Sequence, residues 1–182
     1  KWLKNTQRLK SQDKSKKIIL KYGENPNQKS YFIKSSSKSI FDGQIQGNKI
    51  GYNNILDISD GITCLSEFKE PTCVIIKHNN PCGVASDSSI KKSFIKAYHA
   101  DKISAFGGIV LFNRRINKNL SLTLKKYFFE IIVAPDFYKN SIKIFEANKN
   151  LILIKSKNIN SNNKEFKTVA SGILFQNKNN FK

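Results

Sequence analysis

The chain has 182 residues, with 32 basic and 13 acidic side chains, a formal net charge of +19, and 39% hydrophobic residues. This apolar content excludes a chain that is disordered throughout. No apolar run approaches the roughly 18 residues of a membrane-spanning helix, and the amino terminus lacks the apolar stretch of a secretory signal. We therefore expect a cytoplasmic protein with no membrane partner. Because the sequence contains no methionine, we also expect an internal piece of a longer product.

The elements predicted from the sequence alternate between strands and helices. Residues 1–17 are basic and polar and are predicted to form a linker, and a short strand is predicted at 31–33. Apolar residues at three- and four-residue spacing predict helices over 53–68, 88–98, 117–128 and 141–148. Apolar runs predict strands at 73–76, 108–112, 131–133, 151–154 and 168–175. This alternation favours an α/β sheet of parallel strands joined by helical crossovers.

The densest group of chemically capable residues follows the predicted strand 73–76. Residues 77–80, Lys-His-Asn-Asn, supply a cation, a proton carrier and two amides, and the Pro-Cys-Gly at 81–83 is expected to hold a tight turn. In open α/β sheets, functional groups collect just past the carboxyl ends of strands. His78 could act as a general base beside a charge-stabilising Lys77. A polar loop in which His78 only bonds the backbone is the alternative.

The cysteines predict neither a disulfide framework nor a zinc site. They number three, and no CxxC pair occurs, which fits a reducing compartment. Pro81-Cys82 matches part of the zinc-deaminase pattern. Ala85, however, stands where the second cysteine of that pattern would lie, and Asn80 stands where its glutamate would lie. We therefore expect no zinc.

Three further segments carry candidate binding residues. Gly107 and Gly108 precede a predicted strand and permit a close backbone approach to a ligand, although glycine pairs are often only turns. Glu130 is a carboxylate beside an apolar strand, and a solvent-exposed helix-end residue is its favoured alternative. Lys21 and Tyr22 precede a Gly-Glu-Asn-Pro turn, where the cation could meet an anionic ligand or the turn could be an ordinary one.

The basic charge leaves a second class of function open. Only three of the 32 basic residues are arginine, and the lysines are scattered rather than gathered in a block. Nucleic-acid-binding proteins usually cluster their charge and use arginine for phosphate and guanine contacts. A solvated basic surface that suits a small anionic substrate is therefore favoured, with a nucleic-acid-binding module as the alternative.

Five segments, in order, resemble the AICAR transformylase domain of the AICAR transformylase/IMP cyclohydrolase family. They are LKYGENPNQKSYF (20–32), QIQGNKIGYNNILD (44–57), VIIKHNNPCGVA (74–85), ISAFGGIV (103–110) and EIIVAPDF (130–137). The resemblance implies transfer of a formyl group from 10-formyltetrahydrofolate to AICAR in purine (IMP) biosynthesis. It also implies a cytidine-deaminase-like, three-layer α/β fold that is built from two related halves and needs no zinc.

The resemblance also assigns expected roles to individual residues. The catalytic Lys-His pair of the family falls on Lys77 and His78. The residues expected to bind substrate are Lys21, Tyr22, Asn79, Gly107 and Glu130. Lys21 stands where the family has arginine, so a point charge replaces a bidentate fork, and the phosphate contact is expected to be looser or relocated.

The same resemblance predicts the domain organisation. Residues 18–182 are expected to form the N-terminal half of the transformylase domain, and the linker 1–17 would be all that remains of the junction with an IMP cyclohydrolase domain. The second half would follow residue 182 and would supply a catalytic asparagine. Family members are homodimers with sites at the subunit interface, so this chain is expected to hold half a site.

Overall fold

The computed structural model describes residues 17–34, 39–157 and 164–177. The predicted linker lies outside these ranges except for Lys17, which begins the first strand. The α-helices are α1 Tyr52–Ser66, α2 Ile90–Ala100, α3 Lys102–Ala105, α4 Lys118–Leu124 and α5 Lys139–Phe145. The strands are β1 Lys17–Ile19, β2 Tyr31–Ile33, β3 Gln44–Gln46, β4 Thr72–Lys77, β5 Asn80–Ser86, β6 Ile109–Phe112, β7 Ile131–Ala134, β8 Ile152–Lys155, β9 Lys164–Val169 and β10 Gly172–Asn177. Within the described ranges, no helix is long and apolar enough to cross a membrane.

Six strands form one mixed sheet in the order β3-β8-β7-β6-β4-β5. Strands β6, β7 and β8 are parallel, whereas β4 runs antiparallel to β6 and pairs with β5 in a hairpin. The predicted α/β class is confirmed, but the expectation of a parallel sheet holds for only these three strands. At the β4–β5 pair the difference arises because only two residues connect the strands, and a parallel pair needs a crossover of a dozen or more. Strand β3 also pairs antiparallel, with β8.

Helices cover both faces of this sheet. Along β4, Cys73 and Ile75 pack with the layer formed by α2, α4 and α5, while Val74 and Ile76 pack with α1 on the opposite face. All four side chains are fully buried. A continuous apolar run is what a strand covered on both sides requires, because alternate side chains then meet two cores. The described elements therefore form three layers, helix on sheet on helix.

Side-chain caps mark the starts of three helices. Ser89 Oγ accepts a hydrogen bond from the Lys92 N–H at 3.3 Å before α2, and Asn117 Oδ1 accepts one from Leu120 at 2.9 Å before α4. Asp101 Oδ1 accepts from two main-chain N–H groups at the start of α3. These bonds satisfy donors that the first helical turn leaves unpaired, so they fix where each helix begins.

Two segments differ from the sequence-based expectation because of where the chain turns. The tight turn expected at 81–83 lies instead at 78–79, and residues 80–86 form the edge strand β5, where a proline is tolerated. The strand predicted at 168–175 is part of a hairpin of β9 and β10. Its chain reverses near Ser171, whose φ of 65° is incompatible with a continuous strand.

Gly83 lies where strand β5 packs against helix α2. A Cβ at this position would overlap the carbonyl oxygen of Ala97, so the backbone would have to move. We expect Gly83→Ala to lower the free energy of unfolding by about 1–3 kcal/mol, the usual range for an overpacked interior site. Urea denaturation measures this loss. Gly172→Ala is the matched control, because a Cβ there meets nothing within 4 Å. Equal midpoints for both variants would contradict the clash.

Candidate active site

Residues 77–80 form the turn of the β4–β5 hairpin. Lys77 pairs with Asn80, and between them His78 and Asn79 adopt φ values of 53° and 61°. Positive φ at both central positions is typical of a type I′ turn, whose twist matches that of a two-residue hairpin. Asparagine tolerates this left-handed conformation, as does histidine to a lesser degree, so neighbouring contacts have to stabilise it.

Two carboxylates on α1 bind this turn. The main-chain N–H of Asn79 donates to Asp57 Oδ1 at 2.6 Å, and the Asn79 side-chain amide donates to Asp60 Oδ2 at 2.8 Å. Asp57 is buried, with 7% of its surface exposed, whereas Asp60 is exposed. The sequence analysis missed both residues. The signal that could have found them is their three-residue spacing, which places two carboxylates on one face of a predicted helix.

Lys77 and His78 present their side chains at the same edge of the sheet. Lys77 is half-buried, and its Nζ donates to the main-chain oxygen of Phe106 at 2.7 Å. In the described ranges no carboxylate forms an ion pair with it. The His78 imidazole is exposed and makes no hydrogen bond to a described residue. Because the chain reverses at His78, the alternation of side chains between two faces, which holds in an extended strand, does not apply to this pair.

Gly107 and Gly108 lie beside the end of β4. Gly107 adopts a φ of 71°, and its N–H donates to the carbonyl of Phe128 at 3.0 Å. A Cβ on Gly108 would lie 3.1 Å from the carbonyl oxygen of Ile76. The structure shows that Gly108 packs closely against strand β4. The close backbone approach to a ligand that the sequence predicts for this pair stays a prediction.

Glu130 precedes β7 at the same edge. Its main-chain N–H donates to the carbonyl of Gly108 at 3.2 Å, which ties it to the glycine pair. Its exposed carboxylate accepts a hydrogen bond from Asn54 Nδ2 on α1, with 3.4 Å between the atoms. Glu130 is therefore solvent-exposed, as the alternative expected, and its carboxylate also contacts the first turn of α1.

The segment that carries Lys21 and Tyr22 contacts the start of α1. Asn53 Nδ2 donates to the carbonyl of Glu24 at 3.2 Å, two residues after Tyr22. The Lys21 ammonium lies 5.5 Å from the centroid of the Tyr22 ring, and the Tyr22 carbonyl accepts from Ser30 Oγ. The structure thus places the pair near the amino end of α1. It shows no direct contact of Lys21 with the hairpin turn or with Glu130.

The direction of the strands decides which edge carries these residues. The site lies at the carboxyl end of β4, as predicted, but β6 and β7 begin there because β4 runs against them. Parallel sheets usually carry ligands at the carboxyl ends of their strands. That opposite edge holds Asp136, whose carboxylate pairs with Arg115 at 2.8 Å and Lys155 at 2.9 Å. The hydrogen bond from Lys155 lowers the pKa of Asp136.

The cysteine in the hairpin is not activated as a nucleophile. Partial burial raises the pKa of the Cys82 thiol, which donates to the carbonyl of Ile75 at 3.5 Å. A thiol with a raised pKa carries little thiolate at neutral pH. Within the described residues, no three side chains of His, Cys, Asp or Glu come together in a way that could hold a metal ion. His78 and Lys77 supply a proton carrier and a cation at this edge, beside the carboxylates of Asp57, Asp60 and Glu130.

A sequence model of the AICARFT/IMPCHase bienzyme family matches residues 1–182. The chain belongs to this family. The resemblance of the five sequence segments is thereby confirmed. The roles that the resemblance assigns to individual residues stay predictions.

Curated relatives support the same assignment. The chain is similar to the proteins named bifunctional purine biosynthesis protein PurH from Caldicellulosiruptor bescii, at 44% identity, Buchnera aphidicola subsp. Schizaphis graminum, at 43%, and Staphylococcus epidermidis, at 40%. The alignments cover 87%, 88% and 92% of this chain and 33%, 32% and 35% of the relatives, respectively. The chain therefore spans about a third of the length of these family members.

The raised pKa of the Cys82 thiol predicts slow alkylation. We expect iodoacetamide at pH 8 to modify Cys82 more slowly than free cysteine, with a rate that rises as the pH approaches the raised pKa and thiolate forms. Peptide mapping by mass spectrometry measures both rates. Cys73 is fully buried and serves as the internal control that reacts only after unfolding. A Cys82 rate equal to that of free cysteine at pH 8 would contradict the prediction.

Proposed function

We propose that this chain belongs to an enzyme that transfers a formyl group from 10-formyltetrahydrofolate to the 5-amino group of AICAR. The products are formyl-AICAR and tetrahydrofolate, a step of IMP biosynthesis. The observation that carries the proposal is that the family match spans the whole chain while Lys77, His78, Gly107 and Glu130 converge on one edge of the sheet. The relatives are named for purine biosynthesis, which supports the same reaction.

His78 is the general base in this proposal. The AICAR amine attacks the formyl carbon, and because its lone pair is delocalised into the ring, it is a weak nucleophile that has to lose a proton as the C–N bond forms. The exposed His78 imidazole is open to accept that proton. The bond from the formyl carbon to N10 of the folate then breaks, and N10 takes a proton as tetrahydrofolate leaves.

Lys77 stabilises the negative charge that develops on the formyl oxygen during this attack. Its ammonium is held by the Phe106 carbonyl and by no carboxylate among the described residues, so its charge is not neutralised before substrate binds. A fixed cation lowers the energy of the tetrahedral intermediate more than that of the ground state, since the oxyanion exists only after attack.

The remaining site residues bind the nucleotide. Glu130 and Asn79 supply an acceptor and an amide, and the backbone at Gly107 lets a planar ring lie close to the chain. Lys21 and Tyr22 meet the phosphate, with the single charge of lysine giving a weaker contact than an arginine fork. The exposure of Lys21 supports a role in binding an anion from solvent.

We also propose how the full-length protein is organised. Helices on both faces of the sheet support a cytidine-deaminase-like first half of the transformylase domain, over residues 18–182. Because the chain spans about a third of its relatives, other segments would supply the second half and an IMP cyclohydrolase domain. The protein would act in the cytoplasm as a homodimer without zinc.

The nucleic-acid-binding alternative rested on the basic charge. The family assignment favours an enzyme instead. The two arginines in the described ranges are engaged within the protein, since Arg114 donates to the carbonyl of Lys69 and Arg115 pairs with Asp136. They are therefore not arranged as a free phosphate-binding cluster.

The general-base role predicts a loss of turnover in His78→Ala. In the full-length protein we expect kcat for formyl transfer to fall by about 100-fold or more, the usual contribution of a positioned base, with a much smaller change in the KM for AICAR. Lys77→Ala should also be severe, and the double variant should lose less than the product of both losses. Steady-state kinetics test this. His99→Ala, in the exposed last turn of α2, is the matched control; a parental kcat in His78→Ala would leave His78 a structural role only.

The phosphate role predicts a selective effect of Lys21→Ala. A lost charge-assisted hydrogen bond is worth about 1.5–3 kcal/mol, so we expect the KM for AICAR to rise about tenfold or more while the KM for the folate stays unchanged. Lys21→Arg should lower the KM for AICAR if the fork improves the contact. Lys29→Ala, an exposed lysine of the same segment, controls for overall charge. An unchanged KM for AICAR in Lys21→Ala would argue against phosphate binding.

A further inference from the structure

We propose that Asp57 is the positioning residue of the candidate active site. By accepting the N–H of Asn79, it holds the His78–Asn79 turn in the left-handed conformation that presents the His78 imidazole to substrate. Asp57 does not touch the reacting atoms in this proposal and acts through the turn. The inference rests on the proposed formyl transfer, and it adds a residue that the sequence motif around Lys77 does not contain.

The hydrogen bond from Asn79 to Asp57 uses a main-chain N–H that the pairing of the hairpin strands leaves without a partner. In a two-residue hairpin the flanking residues Lys77 and Asn80 pair with each other, and the N–H groups within the turn have no ladder partner. Asp57 Oδ1 accepts the one from Asn79 at 2.6 Å, a short distance typical of a bond to a carboxylate. The contact joins residues 22 positions apart, so it fixes the turn to a different element of the fold.

The turn needs such a contact because both of its central residues are non-glycine residues with positive φ. Left-handed conformations of this kind persist only where the surroundings determine them. His78 comes immediately before the N–H that Asp57 accepts, so a shift of that N–H rotates the backbone from which the imidazole projects. Loss of the hydrogen bond to Asp57 would therefore leave the His78 imidazole in the chain but no longer hold it in one position.

The other atoms around His78 are also fixed. Asn80 Nδ2 donates to the His78 carbonyl at 3.1 Å, the Asn79 side chain donates to Asp60, and Lys77 Nζ donates to Phe106. The His78 imidazole, in contrast, makes no hydrogen bond to a described residue and is exposed. Among the residues that bond to this turn, Asp60, Asn80 and Phe106 are exposed, whereas Asp57 is buried.

Asp57 has a rigid support. The next residue, Ile58, is fully buried in the core between α1 and the sheet, so the helix cannot shift without disturbing packing. The same helix contacts Glu130 through Asn54 and Glu24 through Asn53. Asp57 therefore sets the position of the turn relative to the groups proposed to bind the nucleotide, and an error at this bond would misplace the base relative to the amine.

Steady-state kinetics of the full-length protein test the inference with three variants. Asp57→Ala removes the acceptor, Asp57→Asn keeps an oxygen that can accept the Asn79 N–H, and Asp87→Ala is a control at the far end of β5 that loses a carboxylate paired with Lys96. We expect kcat to fall about 10- to 100-fold in Asp57→Ala with the KM for AICAR within about threefold of parental. Asp57→Asn should recover most of kcat, and Asp87→Ala should keep it.

Hydrogen exchange of peptides covering residues 77–82 supplies a readout independent of activity. We expect the Asn79 amide to exchange slowly in the parental protein and in Asp57→Asn, and quickly in Asp57→Ala. If the Asn79 amide of Asp57→Ala exchanges quickly but the variant keeps the parental kcat, the positioning role is overturned and the proposed formyl transfer is unaffected. An Asp57→Asn variant as impaired as Asp57→Ala would also overturn it. If the unmodified protein transfers no formyl group, the proposed function fails first, and the role of Asp57 with it.

Discussion

Burial of strand β4 on both of its faces is the constraint on which the rest of the structure depends. Residues 73–76 lie fully buried between α1 and the opposite helical layer, so the strand has no solvent face. Its polar continuation at 77–80 cannot enter either core, because buried polar groups without partners are costly. It therefore emerges at the sheet edge and turns back, which leaves His78 exposed and Lys77 half-buried at that edge.

Helix α1 links the apolar core to the residues of the candidate active site. Its apolar face packs on the sheet through residues such as Ile58 and Leu65, while the polar residues of its first half reach three separate segments of the chain. Asn53 contacts the 21–24 segment, Asn54 contacts Glu130, and Asp57 contacts the hairpin turn. One element that is fixed by apolar packing thus sets the relative positions of groups far apart in sequence.

Carboxylates elsewhere offset part of the basic charge. Hydrogen bonds from Lys34 and Lys96 lower the pKa values of Asp42 and Asp87 to about 2, below the ordinary value of 3.8. A depressed pKa in the folded state stabilises the fold above the unfolded value, and this contribution is lost as the pH falls from about 4 toward 2. Both pairs lie at the surface with each side chain partly exposed, so each contributes modestly to the free energy of unfolding.

The sequence by itself determined the α/β class, the buried strand at 73–76 with Lys77 and His78 at its end, and the family, because short local runs of residues carry each of these signals. Only the tertiary structure decided the rest. His-Asn lacks the Asn-Gly signature of a type I′ turn, so the hairpin and the antiparallel direction of β4 were not visible locally. The bonds of Asp57 to Asn79 and of Asn54 to Glu130 span 22 and 76 positions. Such contacts follow from how α1 packs on the sheet, which no local pattern of residues specifies.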